Sequence, residues 1–165
     1  MSTVPPRFIM TVGLPGVGKS TWISGTYEIL EDGRAPYIVS SDATLELLGA
    51  RFDMTYNEMF GDFTYSFAER MNFKIARHLF GRGDHVIWDQ TNLTAKSRAK
   101  KLAIVPPHYH RTCLYFITPS DHAARLAQRP GKNIPQSVLD KMQATLEVPT
   151  YSEGFHEIYG VDNVN

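Results

Sequence analysis

The eight residues Gly13-Leu14-Pro15-Gly16-Val17-Gly18-Lys19-Ser20 have types and spacing suited to phosphate chemistry. They fit G-x-x-x-x-G-K-[ST], a loop whose backbone N–H groups converge on phosphate oxygens. Its lysine reaches the β- and γ-phosphates, and its hydroxyl ligates Mg²⁺. The surroundings favour this reading over a chance glycine-rich turn. The apolar run Phe8-Ile9-Met10-Thr11-Val12 ahead of it predicts a buried strand, and Thr21-Trp22-Ile23 behind it opens a helical stretch. Such a helix points the positive end of its dipole at the bound anion. Lys19 is therefore the expected phosphate lysine and Ser20 an expected metal ligand.

Three further groups can complete a site for phosphoryl transfer. His85-Val86-Ile87-Trp88-Asp89 predicts a strand that ends in a carboxylate. Ligands of open parallel sheets bind beyond the carboxyl ends of the strands. Asp89 is thus an expected Mg²⁺ residue, directly or through water, with capping of the next helix as the alternative. Thr91 and Asn92 follow and are expected either to contact an acceptor or to shape the turn. Tyr37-Ile38-Val39-Ser40-Ser41-Asp42 brings a second carboxylate to the same crevice. Asp42 can there accept a proton from an attacking hydroxyl, although Ser-Asp is equally a common helix start. Arg125 and Arg129, spaced i and i+4, predict a shared helix face with a hinge at Pro130-Gly131. On a mobile flap they would neutralise charge on a transferred phosphoryl group; on a solvated face they would not.

Other clusters carry less chemistry. Lys96, Arg98, Lys100 and Lys101 make the helix after Asn92 basic, with Arg82 and Arg111 expected on the same side. This is either a contact for a phosphate backbone or a solvated face. His108 and His110 flank Tyr109 without the further ligands a metal site needs. Phe60, Phe63, Tyr65, Phe67, Phe73 and Phe80 predict mostly core by period, with part of the first half available as a wall for a flat base. Cys113, the only cysteine, lies in the apolar run 112–117 and reads as a small core residue. One cysteine makes no disulfide within the chain, which suits a reducing cytosol.

These groups need a scaffold, and strand and helix signals alternate. Strands are predicted at 8–12, 37–39, 85–88 and 112–117, with a weaker one at 156–161. Helices are predicted at 19–30, 43–49, 57–80, 94–104, 120–128 and 135–146. This pattern predicts an α/β fold: a three-layer sandwich with a mostly parallel sheet. Gly81-Arg82-Gly83 should end the third helix and Pro106-Pro107 close the fourth. Asn92 or Thr94, and Ser120, are the predicted N-caps. The break at 131–135 makes 120–146 a helical lid. With 165 residues and no repeat or linker, one domain over 1–165 is expected. Lys and Arg total 17 and balance 17 Asp and Glu, so a polyanion would have to be held by a local patch. No stretch has the pattern of a signal peptide or the length of a membrane span, so a cytoplasmic, membrane-free setting is expected.

Taken together, Gly-Leu-Pro-Gly-Val-Gly-Lys-Ser-Thr-Trp at 13–22, Ser-Ser-Asp at 40–42, Asp-Gln-Thr-Asn-Leu at 89–93 and the pair Arg125 and Arg129 resemble the kinase domain of the phage polynucleotide kinase family. The likeness runs on through Ile134-Pro135, Val138-Leu139 and Met142 to Val148-Pro149-Thr150-Tyr151. The resemblance implies a P-loop kinase that transfers the γ-phosphoryl of ATP to a hydroxyl of nucleic acid, usually at a 5′-OH end; of DNA and RNA, both open as acceptors, DNA is the first expectation. It implies ATP binding by Gly13, Pro15, Gly16, Val17, Gly18, Lys19, Ser20 and Thr21. Mg²⁺ would be held at Ser20 and Asp89. Asp42 would be the general base, Lys19, Arg125 and Arg129 would act on the phosphoryl group, and Thr91 and Asn92 would meet the acceptor. One position departs from the pattern. Family members that act on polynucleotides carry an arginine one turn after the catalytic aspartate, where this chain has Leu45. Related phage kinases act on hydroxymethylated pyrimidines such as 5-hydroxymethyluracil within DNA, and their acceptor needs no such grip. That is the runner-up expectation. A nucleoside or other small-molecule kinase, and a non-kinase NTPase module, stand behind it.

Overall fold

The structure, a computed structural model, describes residues 4–54, 62–130 and 133–162. Five strands form one sheet: β1 (Arg7–Val12), β2 (Tyr37–Val39), β3 (Val86–Trp88), β4 (His110–Phe116) and β5 (Glu157–Val161). Their order is β2-β3-β1-β4-β5, and every pairing is parallel. The expected mostly parallel sheet is thus wholly parallel, which requires a crossover between each pair of strands. The crossovers supply α1 (Lys19–Thr26), α2 (Ser41–Phe52), α3 (Asp62–Arg82), α4 (Ala95–Leu102), α5 (His122–Ala127) and α6 (Gln136–Thr145). A short 3₁₀ turn, Tyr151–Glu153, leads into β5.

The period of two along β1 sorts its side chains into two cores. Phe8, Met10 and Val12 pack with Val86, Trp88, Cys113 and Tyr109 beneath α3 and α4, which contribute Ala76, Leu79, Phe80 and Leu102. Ile9 packs on the other face with Ile87, Leu114, Phe116 and Val161, together with Ile23 of α1 and Leu14 and Val17 of the loop before it. A central strand buried on both sides has to read as a continuous apolar run, as 8–12 does. Cys113 is buried, and burial pushes its thiol up to about 12. Among the described residues, no helix is long and apolar enough to cross a membrane.

Helix limits follow local chemistry. Ser40, not Asp42, caps α2, its side chain accepting from Ala43 N. Thr94 caps α4 through a 3.1 Å bond from Ser97 N. Gly83, at φ 74, ends α3 in the left-handed conformation that glycine adopts without strain. Ser120 does not cap α5; Asp121 stands there without a side-chain cap bond. The predicted start of the third helix at 57, Phe60 and the hinge residue Gly131 lie outside the described residues.

The basic stretch of α4 departs from both of its expected roles in part. Lys96 and Lys100 are exposed, but Arg98 and Lys101 are buried. Arg98 Nε and Nη2 form a two-pronged ion pair with Glu153 at 2.6 and 2.8 Å. Its Nη1 donates to Asn92 O, Leu93 O and Glu147 O. This guanidinium therefore pins the C-terminal segment to α4 and is not available to an external phosphate.

Candidate active site

The phosphate loop is anchored from below. Leu14 and Val17 are buried, which leaves Pro15, Gly16 and Gly18 to turn the chain above them. Gly16 (φ 78) and Gly18 (φ 90) are left-handed, a conformation that costs side-chain-bearing residues strain. Gly18 also stands at the N-cap of α1 and has no side chain to occupy the helix end. Thr21 is exposed on the first turn. Trp22 beside it packs edge-on against Phe116 at 5.8 Å and Tyr27 at 5.7 Å, so it seats α1 on the sheet.

Two residues of the loop meet the rest of the site. Ser20 Oγ donates to Asp89 Oδ2 at 2.7 Å, while Thr11 Oγ1 donates to Asp89 Oδ1 at 3.2 Å. The side chains that sequence proposed for Mg²⁺ are thus in contact. A hydroxyl and a carboxylate at the mouth of a phosphate loop form a hard oxygen donor set of the kind Mg²⁺ takes alongside phosphates and water. Lys19 folds back over the loop, with Nζ donating to Gly13 O at 3.0 Å and Leu14 O at 2.7 Å. Burial lowers its pKa to about 8; Asp89 and Asp42 pull it back up, and Arg129 pushes it down. Those three charges therefore all bear on the Lys19 ammonium, although they come from the turn after β3, from α2 and from the segment after α5.

Asp42 is exposed on the first turn of α2. Ser41, next to it, is buried, and Leu45 is fully buried against Ala68 of α3. The position where the resembled family has its gripping arginine is thus a contact between helices. On α3, Tyr65 and Phe67 are exposed and Phe80 is buried. Burial raises the Tyr65 pKa, and the charges of Glu69 and Asp42 raise it further, so this ring lies near the same mouth. Phe73 packs on Trp88 at 5.1 Å as core.

The turn after β3 divides the expected acceptor pair. Thr91 is half-buried, and its carbonyl accepts from Gly13 N at 3.0 Å. Asn92 is buried at φ 47, with Nδ2 donating to Thr11 O at 2.7 Å and Oδ1 accepting from Lys101 Nζ. An amide held on both sides has no group left for an acceptor, so Asn92 shapes the turn, the other role weighed for it.

The lid arginines are less alike than their spacing suggests. Arg125 lies on α5 and donates through Nε to Asp121 Oδ1 at 2.8 Å. Arg129 lies beyond the helix, which ends at Ala127. The residue before a proline is disfavoured in helical backbone, and Pro130 follows. The two therefore do not share a helix face, yet Arg129 still acts on Lys19. The lid touches the loop through residues that sequence did not single out. His122 Nε2 donates to Pro15 O at 2.7 Å. A Cβ on Gly16 would lie 2.7 Å from Leu126 Cδ2, so Leu126 of α5 packs directly over this glycine. Thr11, Ser41, Asn72, Gln90, His122 and Leu126 were all missed. Thr11 left a trace as the one polar residue in an apolar run, and Ser41 and Gln90 lay within quoted motifs without being singled out.

Comparison with known proteins finds the same fold in several solved structures. A gluconokinase from Sinorhizobium meliloti 1021 is 19% identical and superposes with a TM-score of 0.61 over 98% of this chain and 85% of its own. A chain of the Pnkp1/Rnl/Hen1 RNA repair complex is 22% identical, with a TM-score of 0.67 over 88% of this chain and 45% of that one. The APS kinase of Mycobacterium tuberculosis, solved with AMPPNP and APS, is 18% identical, with a TM-score of 0.56 over 94% and 88%. The fold is shared with these two kinases and with the repair-complex chain. A family model described as an AAA domain matches residues 8–149, from the first strand through the lid, and the chain belongs to that family.

Proposed function

We propose that the chain is an ATP-dependent phosphotransferase whose acceptor is a hydroxyl of nucleic acid, with a 5′-OH end as the leading acceptor. The observation that carries this reading is the convergence on Lys19. Ser20 is bonded to Asp89 on the donor side, while Asp42, on a different element, acts on the same ammonium. A hydrolysing switch needs the first pair; a kinase also needs a carboxylate facing the acceptor. In this scheme Asp42 takes the proton of the attacking alcohol. Lys19 and the loop amides hold the β- and γ-phosphates. Arg129, and Arg125 once it leaves Asp121, offset charge developing on the transferred group. Ser20 and Asp89 would hold Mg²⁺, which would supply positive charge against the phosphoryl group when bound. Thr91 remains the proposed contact to the acceptor.

The nucleic-acid acceptor is supported by the resemblance to polynucleotide kinases and by the likeness to a chain of an RNA repair complex. A second reading is favoured by two observations. Leu45 is buried where a phosphate grip would stand, and the exposed ring of Tyr65 lies near Asp42. Both suit an alcohol on a flat base, such as hydroxymethyluracil within DNA. The deciding experiment offers radiolabelled ATP in parallel to a 5′-OH oligonucleotide, a hydroxymethyluracil duplex, free nucleosides and gluconate. Label on a 5′-terminal sugar supports the leading reading, and label on an internal base supports the second. Label only on a small molecule overturns the nucleic-acid acceptor, and release of phosphate alone overturns the kinase.

A further inference from the structure

We propose that Gln90, Ser41 and Asn72 form a clamp that positions Asp42 against Asp89, a reading that rests on the roles given above to those two carboxylates. Transfer requires the acceptor-side carboxylate and the metal-side carboxylate to keep one separation, yet they sit on different elements. Asp89 follows β3 and Asp42 begins α2. Backbone pairing between β2 and β3 ends at the bond from Asp89 N to Val39 O, 2.9 Å long. Beyond it, side chains take over. Ser41 Oγ, in a residue only 3% exposed, accepts from Gln90 Nε2 and, at 2.9 Å, from Asn72 Nδ2. The far end of Gln90 is fixed as well, its Oε1 accepting from Trp88 Nε1 at 2.9 Å. The far end of Asn72 accepts from Thr44 Oγ1 at 3.0 Å, one helical turn beyond Ser40.

Three elements thus meet on one hydroxyl oxygen: the exit of β3, the first turn of α2 and the middle of α3. Ser41 is one residue from Asp42, and Gln90 is one residue from Asp89. The sequence of the fold alone does not call for this. A satisfied buried network contributes more to a single defined geometry than to stability. Gln90, Ser41 and Asn72 are positioning residues in this scheme and touch neither nucleotide nor acceptor.

The test uses Gln90→Leu, Asn72→Leu and the double variant, with Asp42→Asn as control. Four quantities are read for each: transfer from ATP to the accepted alcohol, affinity for a fluorescent ATP analogue, the pH profile of kcat, and deuterium uptake over residues 40–48. Each single variant should lower kcat about 10- to 100-fold, since a misplacement near 1 Å costs rates of that order. Nucleotide affinity and the acid limb of the pH profile should stay unchanged, because the base is the same group. Uptake in the first turn of α2 should rise. Because both amides act through Ser41 Oγ, the double variant should be no slower than the slower single one. If Gln90→Leu fails to fold, Gln90→Met carries the same test, as its unbranched side chain fills the space but has no N–H for Ser41. Normal transfer in the clamp variants beside a dead Asp42→Asn overturns the clamp. Equal losses in nucleotide affinity and kcat, or strictly multiplicative effects in the double variant, also overturn it. Full transfer by Asp42→Asn overturns the roles of the carboxylates themselves, and the clamp with them.

Discussion

Lys19 is poised rather than relaxed. Burial has brought its pKa from 10.5 to about 8, and its ammonium is held by the carbonyls of Gly13 and Leu14. A base with a lowered folded-state pKa binds fewer protons folded than unfolded between those two values. Its contribution to stability therefore rises with pH across that window, and below pH 8 its unfavourable burial is felt in full. Lys19→Met should then raise the Tm of the nucleotide-free protein at pH 7, and the gain should shrink as pH goes from 8 to 10.5. Transfer should be lost throughout. Lys101 is lowered to about 8 by the same cause, so the comparison must be the difference between wild type and Lys19→Met at each pH. A variant less stable than wild type at pH 7 would show that Lys19 supports the fold instead of being held by it at a cost. A bound polyphosphate would bring negative charge to the Lys19 ammonium, so nucleotide affinity should also weaken as pH rises above 8. Isothermal titration between pH 7 and 9.5 measures this directly.

At the scale of elements, the lid and the fourth helix mark where sequence patterns are readable and where they are not. The central strands β1 and β3 were legible because burial on both faces leaves little besides apolar residues, and glycines marked the loop and the end of α3. The places of Lys19 and Ser20 on the loop and of Asp89 after β3 were legible from spacing, whereas Asp42 on the first turn of α2 was weighed equally as a helix start until the resemblance favoured it. The extent of the lid helix was not, since i and i+4 spacing continues past a helix end that Pro130 imposes on Arg129. Nor was the burial of Arg98, whose partner Glu153 lies 55 residues away. A charged residue reads as solvated until a distant carboxylate is known to face it. Arg98→Met should therefore destabilise the chain by about 3–5 kcal/mol, because it leaves Glu153 half-buried and unpaired. Urea unfolding of Arg98→Met beside the Arg98→Met, Glu153→Met pair checks this, with most of the loss recovered in the pair. A single variant within about 0.5 kcal/mol of wild type, the range of ordinary surface changes, would refute the tie. The lid makes the opposite prediction. Arg125→Ala and Arg129→Ala should leave stability nearly unchanged and slow transfer more than they weaken acceptor binding, because the charge they meet develops in the transition state. Equal changes in kcat and acceptor KM would reduce them to phosphate contacts.

Across the whole molecule, 17 basic and 17 acidic residues cancel, so no long-range field draws a polyanion toward the site. Part of the basic content is also spent inside the fold. Of the four cations near Asn92, only Lys96 and Lys100 reach solvent, while Arg98 and Lys101 hold the turn and the C-terminal segment. Leu45 removes a further cation from the acceptor side. A nucleic-acid acceptor must then be held by few phosphate contacts, with recognition resting on the alcohol, its base and Asp42. This has a measurable consequence. Each phosphate neutralised on a single strand contributes a slope of about −0.7 in log affinity against log salt, so two exposed lysines give about −1.4. Acceptor affinity, measured between 50 and 300 mM salt with a 5′-OH oligonucleotide and again with hydroxymethyluracil DNA, should follow a slope near that value. Replacing Lys96 and Lys100 by alanine should flatten it. A slope several times steeper that survives both substitutions would mean that the strand runs over another face, such as the exposed Arg70, Lys74 and Arg77 on α3. A slope near zero with unchanged turnover would mean that no phosphate is gripped at all, as expected of a small, uncharged alcohol acceptor.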